Sequence, residues 1–206
     1  MGLPKEHREA TCKMDAATDS RLRDRLPTIA EKIIENCTDS GCFTHVDFEP
    51  IPSKQSVIEI IEKLREVIFP GYFNREKLDP VNLKYYMGQT VSVLFDLISE
   101  QVTLSIRHDC FRYDKPCNEC RDRGHEVALA LLEEIPGIRK ILATDIQAAY
   151  DGDPAARSTD EIIFSYPGIF AITIYRVAHK LHELGVPLLP RIMTEHAHNL
   201  TGIDIH

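Results

Sequence analysis

Four short stretches concentrate the residues able to do chemistry. The first, Tyr-Asp-Gly-Asp-Pro-Ala-Ala-Arg-Ser over residues 150–158, sets Asp153 directly before Pro154. Gly152 is suited to end one helix in the left-handed conformation, and Asp153 to cap the next. A carboxylate on so sharp a corner projects outward, where it can accept hydrogen bonds from a substrate ammonium group. The second stretch, residues 191–206, carries His196, His198, Asp204 and His206. His196 and His198 are two apart on a helical pattern, so they point to different sides and are poorly placed to share an ion. Ile203-Asp204-Ile205-His206 alternates like a strand, with both isoleucines on one face and Asp204 and His206 on the other. A carboxylate held there can orient an imidazole, as the acid partner of a catalytic base does.

The third stretch, residues 107–125, spaces Cys110, Cys117 and Cys120 as Cys-x6-Cys-x2-Cys between His108 and His125. Cys110, Cys117, Cys120 and His125 offer the donor set of a tetrahedral structural zinc; ordinary thiols or a regulatory dithiol are the alternative. Cys12, Cys37 and Cys42 have no such spacing and are expected to be simple packed or exposed thiols. In the fourth, His179 and His182 lie three apart, one turn after Tyr175 and Arg176. That face could anchor a phosphate, or it is the polar side of an amphipathic helix.

Much is excluded. There is no GxGxxG, Walker A, GxSxG or HExxH motif, which removes the common nucleotide-binding and hydrolase signatures. A formal net charge of −8 argues against a nucleic-acid or anionic membrane surface. No apolar run reaches the ~18 residues a membrane span needs, and the polar N-terminus has no signal-peptide core. Six cysteines without a secretory signal point to a reducing cytoplasm.

The elements that must position these residues read as helices. Apolar residues recur at spacings of three and four through Leu22, Leu26, Ile29, Ile33 and Ile34, then through Val57, Ile60, Ile61, Leu64, Val67 and Ile68 up to Pro70-Gly71. The pattern returns over about 81–106 and again through Val127, Leu131, Leu132 and Ile135. Pro136 and Pro167 suit first helical turns, Ser158 and Glu161 form a capping box, and Gly185 before Pro187 marks a stop. Residues 38–53 and 107–124 are the expected loops. The fold predicted is an all-α multi-helix bundle up to about residue 200.

Taken in order, DIQAAYDGDPAA (145–156), YPGIFAITIYRVAHKLHELGVPLLPRIMTEHAH (166–198) and TGIDIH (201–206) resemble serine O-acetyltransferase. The resemblance is strong over about 136–206 and compositional over 1–105. It implies a helical N-terminal domain at 1–200, with 201–206 opening a left-handed parallel β-helix of hexapeptide repeats. The family transfers acetyl from acetyl-CoA to the hydroxyl of L-serine for cysteine biosynthesis. By the same resemblance Asp153 binds substrate and Asp204 orients the base histidine, which belongs to an Asp-His-x-x-Gly motif not found in these 206 residues. The acetyl-CoA groove, between β-helices of adjacent subunits, and the tail that docks into cysteine synthase are likewise expected outside this sequence. The chain alone is therefore expected to be inactive, to form a homo-oligomer through helical faces, and to be loosely tethered over 201–206. A different reading is a helical interaction module whose metal- or redox-responsive part is residues 108–125.

Overall fold

The structure, a computed structural model, describes residues 16–37, 44–46, 51–116 and 118–205. Those residues form eight helices and no strand, as the apolar spacing requires. The chain divides into two compact units, Met1–Phe48 and Glu49–His206.

The first unit holds α1 (Ala16–Arg23) and α2 (Leu26–Cys37). Leu22 and the α2 residues Leu26, Ile29, Ile33 and Ile34 are all exposed, Ile34 by 63%. Within α2 their spacing makes one exposed apolar stripe.

The second unit is built on a long helical hairpin, α4 (Leu83–Arg112) followed by α5 (Cys120–Gly152). The other helices are α3 (Lys54–Ile68), α6 (Thr159–Ser165), α7 (Pro167–Glu183) and α8 (Leu189–Thr201). α3 lies on α4 and α8, while α7 packs on α5 and α8. All six apolar α3 positions named from the sequence are buried, joined by Leu94, Ile98 and Val102 of α4 and by Leu131, Ile135, Ile138 and Leu142 of α5. Where the two long helices cross they nearly touch. A Cβ built on Gly124 would sit 2.1 Å from Thr103 Oγ1 and 2.8 Å from the Ser99 carbonyl oxygen, so only glycine fits there.

Several local signals act as expected. Ser158 Oγ accepts the Glu161 amide at 3.1 Å, and the Glu161 carboxylate reaches back to the Arg157 amide, one residue earlier than a standard capping box. Pro167 opens α7. Gly185, at φ 76°, ends that helix with paired bonds from Gly185 N to His182 O and from Val186 N to Leu181 O, a Schellman motif. Leu188 then takes φ 61° in a tight γ-like turn, Leu189 N donating to Pro187 O at 2.6 Å. The buried Ser105 hydroxyl donates to that same Pro187 carbonyl and pins the turn to α4.

Three expectations are corrected. Pro136 does not start a helix: α5 runs through it unbroken. Proline cannot donate to the Leu132 carbonyl, but Pro136 faces solvent, where water can take that bond, and the helix is held by Leu131, Ile135 and Ile138 on its buried side. Gly152 is helical rather than left-handed; the chain turns at Asp153 instead, whose φ −114°, ψ 103° is the extended geometry that a following proline imposes. The loop expected at 107–124 shrinks to the link between Arg112 and Cys120, because the last turns of α4 and the first of α5 are polar residues on otherwise well-packed helices. The loop expected at 38–53 lies mostly outside the described residues.

Candidate functional site

Asp153 occupies the corner between α5 and α6, half-buried. Rather than capping a helix, its Oδ1 accepts the Ala155 amide at 2.9 Å and its carbonyl accepts the Ala156 amide, so the carboxylate closes a tight turn. Its Oδ2 accepts the Tyr166 hydroxyl at 2.5 Å. Tyr166 stands at the junction of α6 and α7, where the extended residue before Pro167 ends one helix and begins the next. The tyrosine hydrogen bond, with the Ala155 amide second, holds the Asp153 carboxyl below its ordinary range. The same bond, with burial second, pushes the Tyr166 phenol up to about 12. At neutral pH the pair is therefore a carboxylate and a neutral phenol. Each carboxylate oxygen keeps one lone-pair direction open to a further donor.

Tyr166 also lines a small cavity of about 240 Å³ with Thr201, at the end of α8. A third member is Arg65 of α3, whose guanidinium lies over the ring of Phe73 at 3.9 Å and that of Phe170 at 4.8 Å and donates to Glu62 at 2.7 Å. Both rings attract the cation through their faces.

From Thr201 the chain runs into the second candidate. Gly202, at φ 71°, ends α8 with its amide on the His198 carbonyl. Thr201 Oγ1 donates to the Ala197 carbonyl and accepts the Ile203 amide at 3.1 Å. Ile203 and Ile205 are half-buried beside Ala171, Tyr175 and Ala197, whereas Asp204 is exposed. The alternation read from the sequence is realised without a strand, and the cap bonds tether residues 201–203 more firmly than expected. His206 lies outside the described residues.

The remaining candidates separate. Cys110, in the last turn of α4, and Cys120, the first residue of α5, place their sulfurs 3.9 Å apart. Cys117 lies outside the described residues, and His125 stacks on Phe95 with ring centroids 5.7 Å apart. Among the described residues no three His, Cys, Asp or Glu side chains are grouped to hold a metal ion. His179 stacks on Tyr175 and meets Glu183 at 3.4 Å. Arg176 is engaged by Asp145 of α5 in a two-pronged pair, both contacts 2.7 Å, which ties α7 to α5. Arg176 is thus taken up in a helix-to-helix joint, while Tyr175, His179 and His182 line a surface groove with Arg191. His196 sits edge-on to Phe170 and burial lowers its pKa, consistent with a packing role.

Sequence reasoning missed Tyr166, Arg65 and Asp145. Only Tyr166 left a trace, as the residue before a helix-opening proline. Among the described residues no single helix is long and apolar enough to cross a membrane.

No protein-family model matches the chain. A plasmid serine acetyltransferase of Synechococcus elongatus is 40% identical over 162 residues, 77% of this chain and 51% of that protein. Serine acetyltransferase 1 of Entamoeba histolytica superposes with a TM-score of 0.58 at 30% identity, covering 90% of this chain and 63% of that one. Isoform 3 from the same organism, solved in complex with cysteine, gives 0.59 at 28% identity over 91% of this chain and 59% of that one. The chain thus spans about half the length of the first relative and less than two thirds of the two structures. Over the stretch it shares with them, the chain is a serine acetyltransferase homologue.

Proposed function

We propose that this chain supplies the serine side of an acetyl transfer from acetyl-CoA to the hydroxyl of L-serine, the reaction that yields O-acetylserine for cysteine biosynthesis in the cytoplasm. The observation that carries the proposal is the Asp153 corner. It sits in a chain homologous to serine acetyltransferases, and Tyr166 and the Ala155 amide hold its carboxylate ionised in one orientation. Such a group suits the ammonium or hydroxyl of a small amino acid. Asp204 orients the base histidine, which residues outside this sequence provide. A serine hydroxyl is a weak nucleophile at neutral pH, so the step needs that base, and the carboxylate fixes its tautomer and supports the charge it gains.

The wider assembly belongs to the same reading. The exposed α2 stripe of Leu26, Ile29, Ile33 and Ile34 supports a homo-oligomer formed through helical faces. The acetyl-CoA groove and a cysteine synthase docking tail are assigned to residues outside 1–206. Zinc has no part in the proposal, because the described residues bring only two of its four expected ligands, Cys110 and Cys120, together.

The test follows release of the CoA thiol from acetyl-CoA in the presence of L-serine. A longer protein that continues residues 1–206 into hexapeptide repeats should turn over, and the 206 residues alone should not. In the longer protein D153N should chiefly raise the KM for serine. D204N should lower kcat at least about a hundredfold, in the range by which a positioned base accelerates such steps. Comparable turnover by the 206 residues alone would show that the assignment is wrong, as would a D153N variant with an unchanged KM.

A further inference from the structure

The Cys110–Cys120 pair is not used by the proposed reaction and is argued independently of it. The two residues come from different helices, at the connected end of the α4–α5 hairpin, and their side chains converge. Both are more than nine-tenths buried, with 9% and 8% of their surface exposed, and the sulfurs are 3.9 Å apart. A disulfide requires the sulfurs to approach to about 2.05 Å. The close crossing at Gly124, one turn after Cys120, holds the two backbones close together.

Cys120 lines a surface groove of about 640 Å³ whose walls carry Arg107, Arg121 and His125 together with Asp96 and Glu100. Charges of both signs around the opening fit a molecule that itself bears carboxylates and ammonium groups. The helix ends differ as well. Cys120 is the first residue of a 33-residue helix, where the macrodipole favours a thiolate, and Cys110 lies in the last turn of a 30-residue helix.

We propose that Cys110 and Cys120 form a dithiol site that is oxidised to an intramolecular disulfide by zwitterionic low-molecular-weight disulfides entering this groove. The Cys120 thiolate attacks one sulfur of the small disulfide; that S–S bond breaks, a mixed disulfide forms on Cys120, and one small thiolate leaves. Cys110 then attacks Cys120 Sγ, the mixed disulfide breaks, and the second small thiolate leaves. Two protein thiols are oxidised and one disulfide is reduced to two thiols, which carry away both protons. The product links the last turn of α4 to the first residue of α5.

Glutathione disulfide, incubated with the folded chain and followed by peptide mapping without reductant, tests this. The expected product is a Cys110–Cys120 crosslink lighter by two hydrogens and reversed by dithiothreitol. C110S should instead accumulate the glutathione adduct on Cys120, and C120S should leave Cys110 unmodified. The mapping of the unsubstituted chain decides the matter even where a variant folds poorly. A crosslink that uses Cys117 in place of either residue would overturn the proposal. So would survival of both thiols after Cys37 has reacted, or an adduct on Cys110 in C120S as fast as that on Cys120 in C110S.

Discussion

Replacing Gly124 by alanine sets two effects of similar size against each other, and the geometry decides between them. Alanine is the better helix former by about 1 kcal/mol, and position 124 lies inside a 33-residue helix, so the local effect is stabilising. Against it, the new methyl would stand 2.1 Å from Thr103 Oγ1, 3.3 Å from Thr103 Cβ and 2.8 Å from the Ser99 carbonyl oxygen. The hydroxyl can rotate away at the cost of its 2.7 Å bond to Ser99 O, but the carbonyl belongs to the α4 backbone and cannot. Reaching ordinary contact requires the helices to part by roughly half an ångström, and overpacking of this kind costs ~1–3 kcal/mol. With the broken Thr103 bond adding about 1 kcal/mol and the helix propensity offsetting about as much, the net expectation is a loss of ~1–3 kcal/mol. Urea unfolding followed by far-UV circular dichroism measures it as a lower midpoint at unchanged slope. Adding T103A should recover only part of the loss, because the Ser99 carbonyl stays in place. A G124A chain as stable as the parent, or more stable, would refute the idea that this contact sets the distance between α4 and α5.

Y166F removes the main cause of the depressed Asp153 pKa, so that carboxyl should titrate at higher pH, seen by carbon-detected NMR of the side chain. Because the folded pKa lies below the unfolded one, the stability Asp153 contributes is present above the unfolded value and is lost as pH falls through the folded one; the variant should flatten that part of the acid-unfolding curve. In the parent, ultraviolet titration should find Tyr166 ionising near 12. D153N should return that phenol toward its usual range. D145A leaves Arg176 without the carboxylate that grips it between α5 and α7, both side chains being at most about a quarter exposed, and should cost ~1–3 kcal/mol in thermal or urea unfolding. Burial lowers the His196 pKa, so the folded state favours the neutral ring. Stability should fall as pH drops below about 6.5, the usual histidine value, and H196Q should reduce that dependence in pH-stepped melts.

What could be seen in the sequence was what depends on near neighbours along the chain. Ser158 with Glu161, Pro167 and Gly185 declare helix ends through bonds that span a few residues. The α3 stripe declared its buried face for the same reason. Pro136 misled because its local cost is real, yet contacts of Leu131, Ile135 and Ile138 with other helices outweigh it, and those partners are distant in sequence. Tyr166 lies thirteen residues from Asp153, and Asp145 thirty-one from Arg176; no spacing rule joins residues whose meeting depends on how separate helices pack. The thiols fall between these cases. Their sequence spacing drew attention to the segment, but only the turn between α4 and α5 brings the Cys110 and Cys120 sulfurs together.

α5 begins at Cys120 and ends at Gly152, immediately before Asp153. Thirty-three residues at 1.5 Å each make a rod of about 50 Å, with the thiol pair at one tip and the Asp153 carboxylate at the other. Salt screens a charge over about 8–10 Å, so an altered charge at Cys120 is invisible from Asp153. Anything the first tip does to the second must arrive as a tilt or flex of the rod itself. Pro136 stands near its midpoint, where the Leu132 carbonyl has no N–H of residue 136 to accept.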